Sequence, residues 1–338
     1  MEASDSTVAT GGPRPTIVFV GLTCVDLIAS VESFPEEDTE VRASGLRRAV
    51  GGNATNSSQV AALLGFDVVL VAPFAEKTLN DPSTAFAINS LLARSIKVVP
   101  DFVPAPIPTS LITVAADSGS RTIVSCKQPG YRNVRAATFT DAIRNSPMRA
   151  TATGTESALN CKWIHFEGRD GSDLHGCINF ARQHRADSSQ RYRISLELEK
   201  ASEGRLESLM MLAPMVDVLL VSSEFAQALG FSTAASCATS LASKLQKGGI
   251  VACAFGSSTA AAAQNVGDSK CVVFEEKPDE IVVVDSVGAG DSFNAAFIGA
   301  LFLEATTKEA LRGAVNVATE KCKRRFDAAC RPCSYCCA

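Results

Sequence analysis

Short runs of apolar residues alternate with longer helix-like stretches along most of the chain. The runs of strand length lie at residues 17–20, 68–71, 163–166, 194–198, 216–221, 250–254 and 281–284. Helix-like stretches lie between them, as at residues 53–64, or follow the last of them, as at residues 293–303. Such alternation is typical of βαβ units, whose parallel strands are buried on both faces. We therefore predict an α/β fold in which helices cover both faces of a mainly parallel sheet.

One part of the chain departs from this alternation of strands and helices, and its pattern predicts a small second sheet. Residues 110–126 have the pattern of two strands joined by a glycine-containing turn, which indicates a hairpin. Strand-like segments at 27–31 and 40–48 would extend this sheet. No further element is available to cover both of its faces, so the sheet is either a lid over a site or a dimer surface. We place it at about residues 22–50 and 107–127.

The two ends of the chain lack the periodicity of the centre. Residues 1–15 are rich in Ser, Thr, Gly and Pro, which predicts a disordered leader, and residues 16–327 are expected to form one domain. Residues 328–338 form a cysteine-rich tail whose thiols are Cys330, Cys333, Cys336 and Cys337. These thiols either lie on an unfolded end or bind a metal. Their spacing is crowded for one tetrahedral ion, so we expect no metal.

Composition and charge exclude several classes of function. The 338 residues carry 32 basic and 36 acidic side chains, and this net charge of −4 is spread along the chain, so we expect no nucleic-acid partner. The first residues are acidic where a secretory signal is basic and apolar, and the longest apolar run, near residues 295–303, is too short for a membrane span. We expect a cytoplasmic protein, with no membrane partner, whose scattered cysteines are reduced core thiols.

The strongest chemical signal is the segment 282–294, where an apolar run enters a glycine-rich turn that opens a helix. The amides that follow Gly288, together with the helix dipole, would form an anion hole suited to a phosphoryl group in transfer. Asp291 lies in the first turn of that helix, where we expect the dipole to keep its carboxylate ionised. It is our candidate general base, and a simple helix cap is the alternative.

Two further motifs carry polar side chains to strand ends and helix starts. Gly52 precedes a helix on which Asn53 and Asn56, three residues apart, share one face and can bond sugar hydroxyls. Asp26 follows the first predicted strand, and ligands of open α/β sheets collect at the carboxyl ends of strands. Asp26 is therefore a candidate for binding a pair of hydroxyls, with a turn residue as the alternative.

In this order the three motifs resemble the ribokinase-like, or phosphofructokinase-B type, carbohydrate kinases. The resemblance implies a three-layer α/β/α sandwich with a small β-sheet lid, the cofactors ATP and Mg²⁺, activation by K⁺, and a homodimer formed through the lids. The stretches 34–42, 162–169 and 197–200 are most similar to the branch of the family that phosphorylates fructose, a ketohexose, at its 1-hydroxyl.

The resemblance also implies roles for individual residues. The residues implied to bind the ketose are Asp26, Gly52, Asn53, Asn56 and Asp291. Those implied to form the anion hole for the transition state are Gly288, Ala289 and Gly290. Those implied to bind ATP are Arg121, Phe255, Gly256, Ser257, Ser258, Thr259, Gly288, Ala289, Gly290 and Asp291. Arg121 is a fork donor suited to phosphate oxygens, although an ordinary surface arginine is the alternative. Four charged residues, Glu167, Arg169, Glu199 and Lys200, are either ligands near the metal and phosphates or ion pairs, so no metal ligand is assigned.

Two departures from the family pattern keep other functions open, because Thr259 stands where the family usually has glycine and the sequence after Cys322 is altered. A third departure, Ser222 and Phe225 in place of the Asn and Glu of a motif near the metal, instead favours the fructose-phosphorylating branch over kinases of ribose or adenosine. The alternatives are a kinase of another sugar or nucleoside and a catalytically impaired protein that binds a sugar or nucleotide.

Overall fold

The computed structural model describes residues 15–144, 161–169, 171–187, 191–201, 204–268 and 270–324. The predicted leader, apart from Pro15, and the whole cysteine-rich tail lie outside these residues. Within the described part of the chain, no helix has both the length and the apolar character that crossing a bilayer would need.

The described residues form two sheets and a set of helices. The strands are β1 (Thr16–Val20), β2 (Cys24–Val31), β3 (Gly45–Gly51), β4 (Asp67–Ala75), β5 (Lys97–Val103), β6 (Thr109–Ala115), β7 (Arg121–Cys126), β8 (Cys161–Glu167), β9 (Arg193–Leu198), β10 (Val218–Ser222), β11 (Ile250–Ala254), β12 (Ala260–Gly267) and β13 (Lys270–Glu276). The α-helices are α1 (Asn53–Leu63), α2 (Pro82–Leu92), α3 (Ala136–Arg144), α4 (Ser172–Asp187), α5 (Arg205–Leu212), α6 (Ser223–Ala228), α7 (Ala234–Ala242), α8 (Ala289–Phe302) and α9 (Thr307–Cys322). Two short 3₁₀ helices span Lys77–Leu79 and Ala213–Met215.

The larger sheet is mainly parallel, as the sequence predicts. Its strand order is β13-β12-β11-β10-β9-β8-β1-β4-β5, every neighbouring pair from β11 to β5 is parallel, and β12 pairs antiparallel with both of its neighbours. Six of the seven apolar runs are confirmed as strands β1, β4, β8, β9, β10 and β11. Because these strands are parallel, their carboxyl ends meet at one edge of the sheet.

Helices bury both faces of this sheet and so form three layers. Alternate residues of β1 point to opposite sides, with Val18 and Val20 packed on one face and Ile17 and Phe19 on the other. Helices α3 to α7 cover the first face, and α1, α2, α8 and α9 cover the second. This is the α/β/α sandwich that was predicted.

The smaller sheet has the order β3-β2-β6-β7, and we call it the lid. The predicted hairpin is present as β6 and β7, which pair antiparallel, whereas β2 and β6 pair in parallel. Residues 40–44 were predicted as strand but lie outside β3, which begins at Gly45. Asp26 follows β1 as predicted and lies within the lid strand β2, so the alternative of a turn residue is wrong.

The predicted strand at residues 281–284 is wrong. This segment is irregular, and Val282 is 86% exposed. Its backbone bonds to the end of a helix, since the amides of Val284 and Asp285 both donate to the carbonyl of Cys322 in α9, at 2.8 and 3.3 Å. An apolar run therefore enters the glycine-rich turn as predicted, but it is not part of the sheet.

Candidate active site

The glycine-rich turn opens helix α8, as predicted. Gly288 is the residue before the first helical turn and has a φ of +77°, a left-handed conformation that favours glycine. The first backbone amides of a helix have no partner within it, so those of Gly290 and Asp291 are available to an anion, whereas the amide of Ala289 donates to the carbonyl of Ser286 at 3.3 Å. A Cβ built on Gly288 would lie 3.7 Å from the Oδ2 of Asp291 and 4.0 Å from the Nδ2 of Asn56. The turn, Asp291 and Asn56 therefore face one another.

Asp291 is buried in the first turn of α8, with 8% of its surface exposed. The Nδ2 of Asn56 donates to its Oδ2 at 2.8 Å, and the hydroxyl of Ser57 donates to its backbone carbonyl at 3.2 Å. Burial raises the pKa of Asp291 well above its ordinary value, the bond from Asn56 lowers it, and the negative charge of Glu199 raises it further. Burial therefore acts against the helix dipole, which we expect to keep this carboxylate ionised.

Asp26 lies on the face of the lid that is turned toward the main domain. It is 7% exposed, and the thiol of Cys24 donates to its Oδ1 at 3.4 Å. Burial raises its pKa, while contacts from Cys24 and Ser110 and the charge of Arg47 act in the opposite direction. A Cβ on Gly51 would come within 2.0 Å of its Oδ2, so the absence of a side chain there makes room for the carboxylate.

The two asparagines of α1 donate to two different carboxyl groups. Asn56 donates to Asp291, and the Nδ2 of Asn53 donates to the Oε2 of Glu197 at 3.3 Å. Gly52 precedes the helix with a φ of +102°, and a Cβ there would lie 2.3 Å from the carbonyl oxygen of Leu22. Because the amide nitrogens have these bonds, each asparagine has its carbonyl oxygen left to accept from a sugar hydroxyl.

Two buried glutamates beneath these asparagines were not among the predicted site residues. Glu197 in β9 accepts at Oε1 from the Nδ2 of Asn294 at 2.8 Å, and burial followed by the charge of Asp291 raises its pKa. Glu167 in β8 accepts at Oε2 from the amides of Leu22 at 2.6 Å and Ala54 at 3.3 Å. Glu167 therefore holds the start of α1, and Glu197 links both helices of the site.

The lid brings two arginines to the residues that precede the turn. Arg121 donates from Nη1 to the hydroxyl of Ser286 at 2.7 Å, and Arg47, which the sequence did not single out, pairs with the Oδ2 of Asp285 at 3.0 Å. Arg121 is thus next to the glycine-rich turn, and its guanidinium is a fork donor suited to phosphate oxygens.

The predicted nucleotide loop is a tight turn between β11 and β12. Its ends are joined by the amide of Phe255, which donates to the carbonyl of Thr259 at 3.0 Å, and Gly256 has a φ of +58°. Ser257 and Ser258 are exposed in this turn. Thr259 does not have a positive φ, so its backbone conformation does not require the glycine that the resemblance places there. The loop follows the carboxyl end of β11, at the same sheet edge as Glu167 and Glu197.

The comparisons with known proteins agree with this geometry. The sequence pattern of the pfkB family carbohydrate kinases matches residues 14–146 and 175–332. The chain is 31% identical over 310 residues to the ketohexokinase of Mus musculus, which covers 90% of this chain and 95% of that protein.

Solved structures share the fold at low sequence identity. A structure described as a putative ribokinase from Agrobacterium tumefaciens superposes with a TM-score of 0.71 at 16% identity and covers 95% of both chains. Phosphofructokinase-2 from Escherichia coli superposes with a TM-score of 0.66 at 15% identity, covering 92% of this chain and 93% of that one.

Proposed function

Because the chain belongs to the pfkB family of carbohydrate kinases, as a ketohexokinase-like, ATP-dependent sugar kinase, we propose that it phosphorylates D-fructose at the 1-hydroxyl. The products are fructose 1-phosphate and ADP. The observation that carries this proposal is the buried carboxyl of Asp291, which faces both the glycine-rich turn and the amide of Asn56. A base next to an anion hole is what phosphoryl transfer to a hydroxyl needs.

In the proposed reaction each group has a separate task. Asp26, Gly52, Asn53 and Asn56 surround the ketose, and Asp291 accepts the proton of the 1-hydroxyl as that oxygen bonds to the γ-phosphorus. The bond between this phosphorus and the bridging oxygen of ATP breaks, and ADP leaves. The amides of Gly288, Ala289 and Gly290, the amide of Asp291 and the guanidinium of Arg121 stabilise the negative charge, and residues 255–259 contact the nucleotide.

We assign Mg²⁺ to the phosphates of ATP rather than to a protein cage. The described residues contain no cluster of three or more His, Cys, Asp or Glu side chains that could hold a metal. Mg²⁺ at nucleotide sites commonly uses one or two carboxylates and water, and Glu199, whose charge acts on Asp291, is our candidate for that contact. Mg²⁺ would offset phosphate charge in the transition state. Activation by K⁺ is part of the same proposal and is tested by replacing K⁺ with Na⁺ in the assay.

The outer face of the lid supports the proposed homodimer. Leu46, Leu111 and Val124 lie on this face and are 76%, 56% and 60% exposed. Large exposed apolar side chains on a four-stranded sheet with open edges favour pairing with a second copy. We expect Leu111→Lys to shift the protein toward monomer in sedimentation at micromolar concentration, and a wild-type monomer would contradict the dimer.

A cytoplasmic location is also part of the proposal. It is supported by the cysteines of the described residues, which are free thiols, and five of these, Cys24, Cys161, Cys177, Cys237 and Cys253, are buried.

A coupled assay of ADP release with fructose, tagatose, ribose and adenosine tests the reaction. We expect kcat/KM to be highest with fructose. More efficient turnover of ribose or adenosine than of either ketohexose would support the alternative of another sugar or nucleoside kinase. Calorimetric binding of fructose without phosphate transfer at saturating MgATP would support a catalytically impaired binding protein.

A further inference from the structure

The lid holds two consecutive residues immediately before the anion hole. Arg47 of β3 pairs with Asp285, and Arg121 of β7 donates to Ser286. The hairpin tip of the lid also packs there, because a Cβ on Gly119 would lie 2.7 Å from the carbonyl oxygen of Val283. The position of the lid and the path of the chain into the turn are therefore physically connected.

Asp285 shapes the backbone that leads into the turn. Its side chain is 2% exposed, and its Oδ1 accepts from the amide of Val287 at 2.9 Å. Lys321 of α9 donates to the carbonyl of Asp285 at 2.7 Å and lies 3.4 Å from Oδ1. A buried carboxylate needs such partners, so loss of one of them would disturb the residues next to Gly288.

Arg47 also lies on the same face of the lid as Asp26, the residue proposed to bind the ketose. In the lid, Asp26 is opposite Ala49, and Arg47 is two residues along β3 on the same face. Diagonal neighbours of this kind are about 7–8 Å apart, within reach of a long side chain. The charge of Arg47 lowers the pKa of Asp26, against burial, which raises it. Arg47 thus pairs with the carboxylate that shapes the turn and shares a face of the lid with the carboxylate proposed for the ketose.

We propose that Arg47 is a positioning residue that couples binding of the sugar at Asp26 to formation of the anion hole through Asp285. The inference rests on the proposed function. A sugar held by Asp26 and the asparagines of α1 stabilises the docked lid, and the docked lid keeps Arg47 on Asp285. Phosphate binding at the turn stabilises the same state, so each ligand tightens the binding of the other.

Arg48 provides a matched control on the same strand. It carries the same charge but points to the opposite face of the lid, where it donates to the hydroxyl of Ser83 at 3.0 Å and lies 4.3 Å from the ring centre of Phe86. Arg47→Gln and Arg48→Gln therefore remove the same charge from adjacent positions, and only the first removes the contact with Asp285.

The test is a calorimetric measurement of fructose affinity with and without a saturating non-hydrolysable ATP analogue and Mg²⁺. For the wild type and for Arg48→Gln we expect the analogue to tighten fructose binding by about 5-fold or more, in the usual range of coupling between sites. For Arg47→Gln we expect a factor below about 2, and for Arg47→Lys a value in between. Melting temperatures of all variants, measured in parallel, identify any variant that is simply unfolded. If Arg47→Gln is unfolded, the coupling in Arg47→Lys tests the inference.

Wild-type coupling in a folded Arg47→Gln variant would overturn the inference, and so would the absence of coupling in the wild type. Equal loss of coupling in both glutamine variants would also overturn it, because a general effect of charge would then suffice. Coupling that depends on Arg47 without any turnover would support the inference while contradicting the proposed function. Turnover of fructose with coupling that is independent of Arg47 would contradict the inference while supporting the proposed function.

Discussion

The missing side chain of Gly51 leaves space for the carboxylate of Asp26, so Gly51→Ala should weaken fructose binding without weakening ATP binding. The new Cβ would lie 2.0, 2.6 and 2.8 Å from Oδ2, Cγ and Oδ1 of Asp26. Rotation about the Cβ–Cγ bond does not move Cγ, which is 2.6 Å from the new atom, so we expect Asp26 to leave its position and its contact with Cys24. Gly51 does not have a positive φ, and the substitution therefore adds no backbone strain.

The size of the effect follows from the displaced carboxylate. A hydrogen bond to a charged group contributes about 1.5–3 kcal/mol, which corresponds to a rise of about 10–150-fold in the KM for fructose. The KM for ATP should change little. Gly45→Ala on the same strand is the control, because a Cβ there meets no atom within 4 Å.

Steady-state kinetics of both variants, and of Gly51→Ala in an Asp26→Ala background, check this reasoning. If the overlap with Asp26 is the cause, the second substitution should have little further effect once Asp26 is absent. An equally large loss in the Asp26→Ala background, or an equal loss from Gly45→Ala, would refute it.

Two further predictions concern stability and pH. Asp101 is fully buried and bonds Arg132 at 2.6 Å and Arg135 at 2.6 Å, so Asp101→Ala should lower the free energy of unfolding by about 1.5–3 kcal/mol in urea denaturation at pH 7. Burial raises the pKa of Asp101, but the bonds from the two arginines outweigh burial, and the net pKa is lowered. The stabilisation by Asp101 is therefore present above the unfolded pKa of about 3.9 and is lost as the pH falls below that value. A loss of this stabilisation on raising the pH would contradict the prediction. Burial, and then the charge of Glu199, raise the pKa of Asp291, so the acid limb of the kcat/KM profile should lie well above pH 4. In Glu199→Gln this limb should move to lower pH, because a negative charge near the base is removed. An unmoved limb would show that the charge of Glu199 does not act on Asp291.

The elements that the sequence predicts correctly are those whose pattern is set by burial. Strands β1 and β8 lie between two layers of helices, so their apolar runs are continuous and easily found. The run at residues 281–284 has the same composition, but its amides at Val284 and Asp285 bond to the end of α9, a long-range contact that composition does not reveal.

The sequence singled out Glu167 only as one of four charged residues with an open role, and it missed Glu197. These two glutamates are opposite one another in β8 and β9. Each is ordinary in its own segment, and only the pairing of two strands distant in sequence brings them together beneath the asparagines. The motifs that contain Asn56 and Asp291, by contrast, are each visible in the sequence, and the structure brings these two side chains into contact.

The central claim is that Asp291 is the base for phosphoryl transfer, and Asp291→Asn tests it most directly. Asn is nearly isosteric and can still begin a helix, so the fold and calorimetric fructose binding should be largely kept. We expect the rate of phosphate transfer to fructose to fall by about 100-fold or more, as for the loss of a general base. A variant that keeps more than about half of the wild-type turnover would contradict the account, because that is the behaviour of a helix cap.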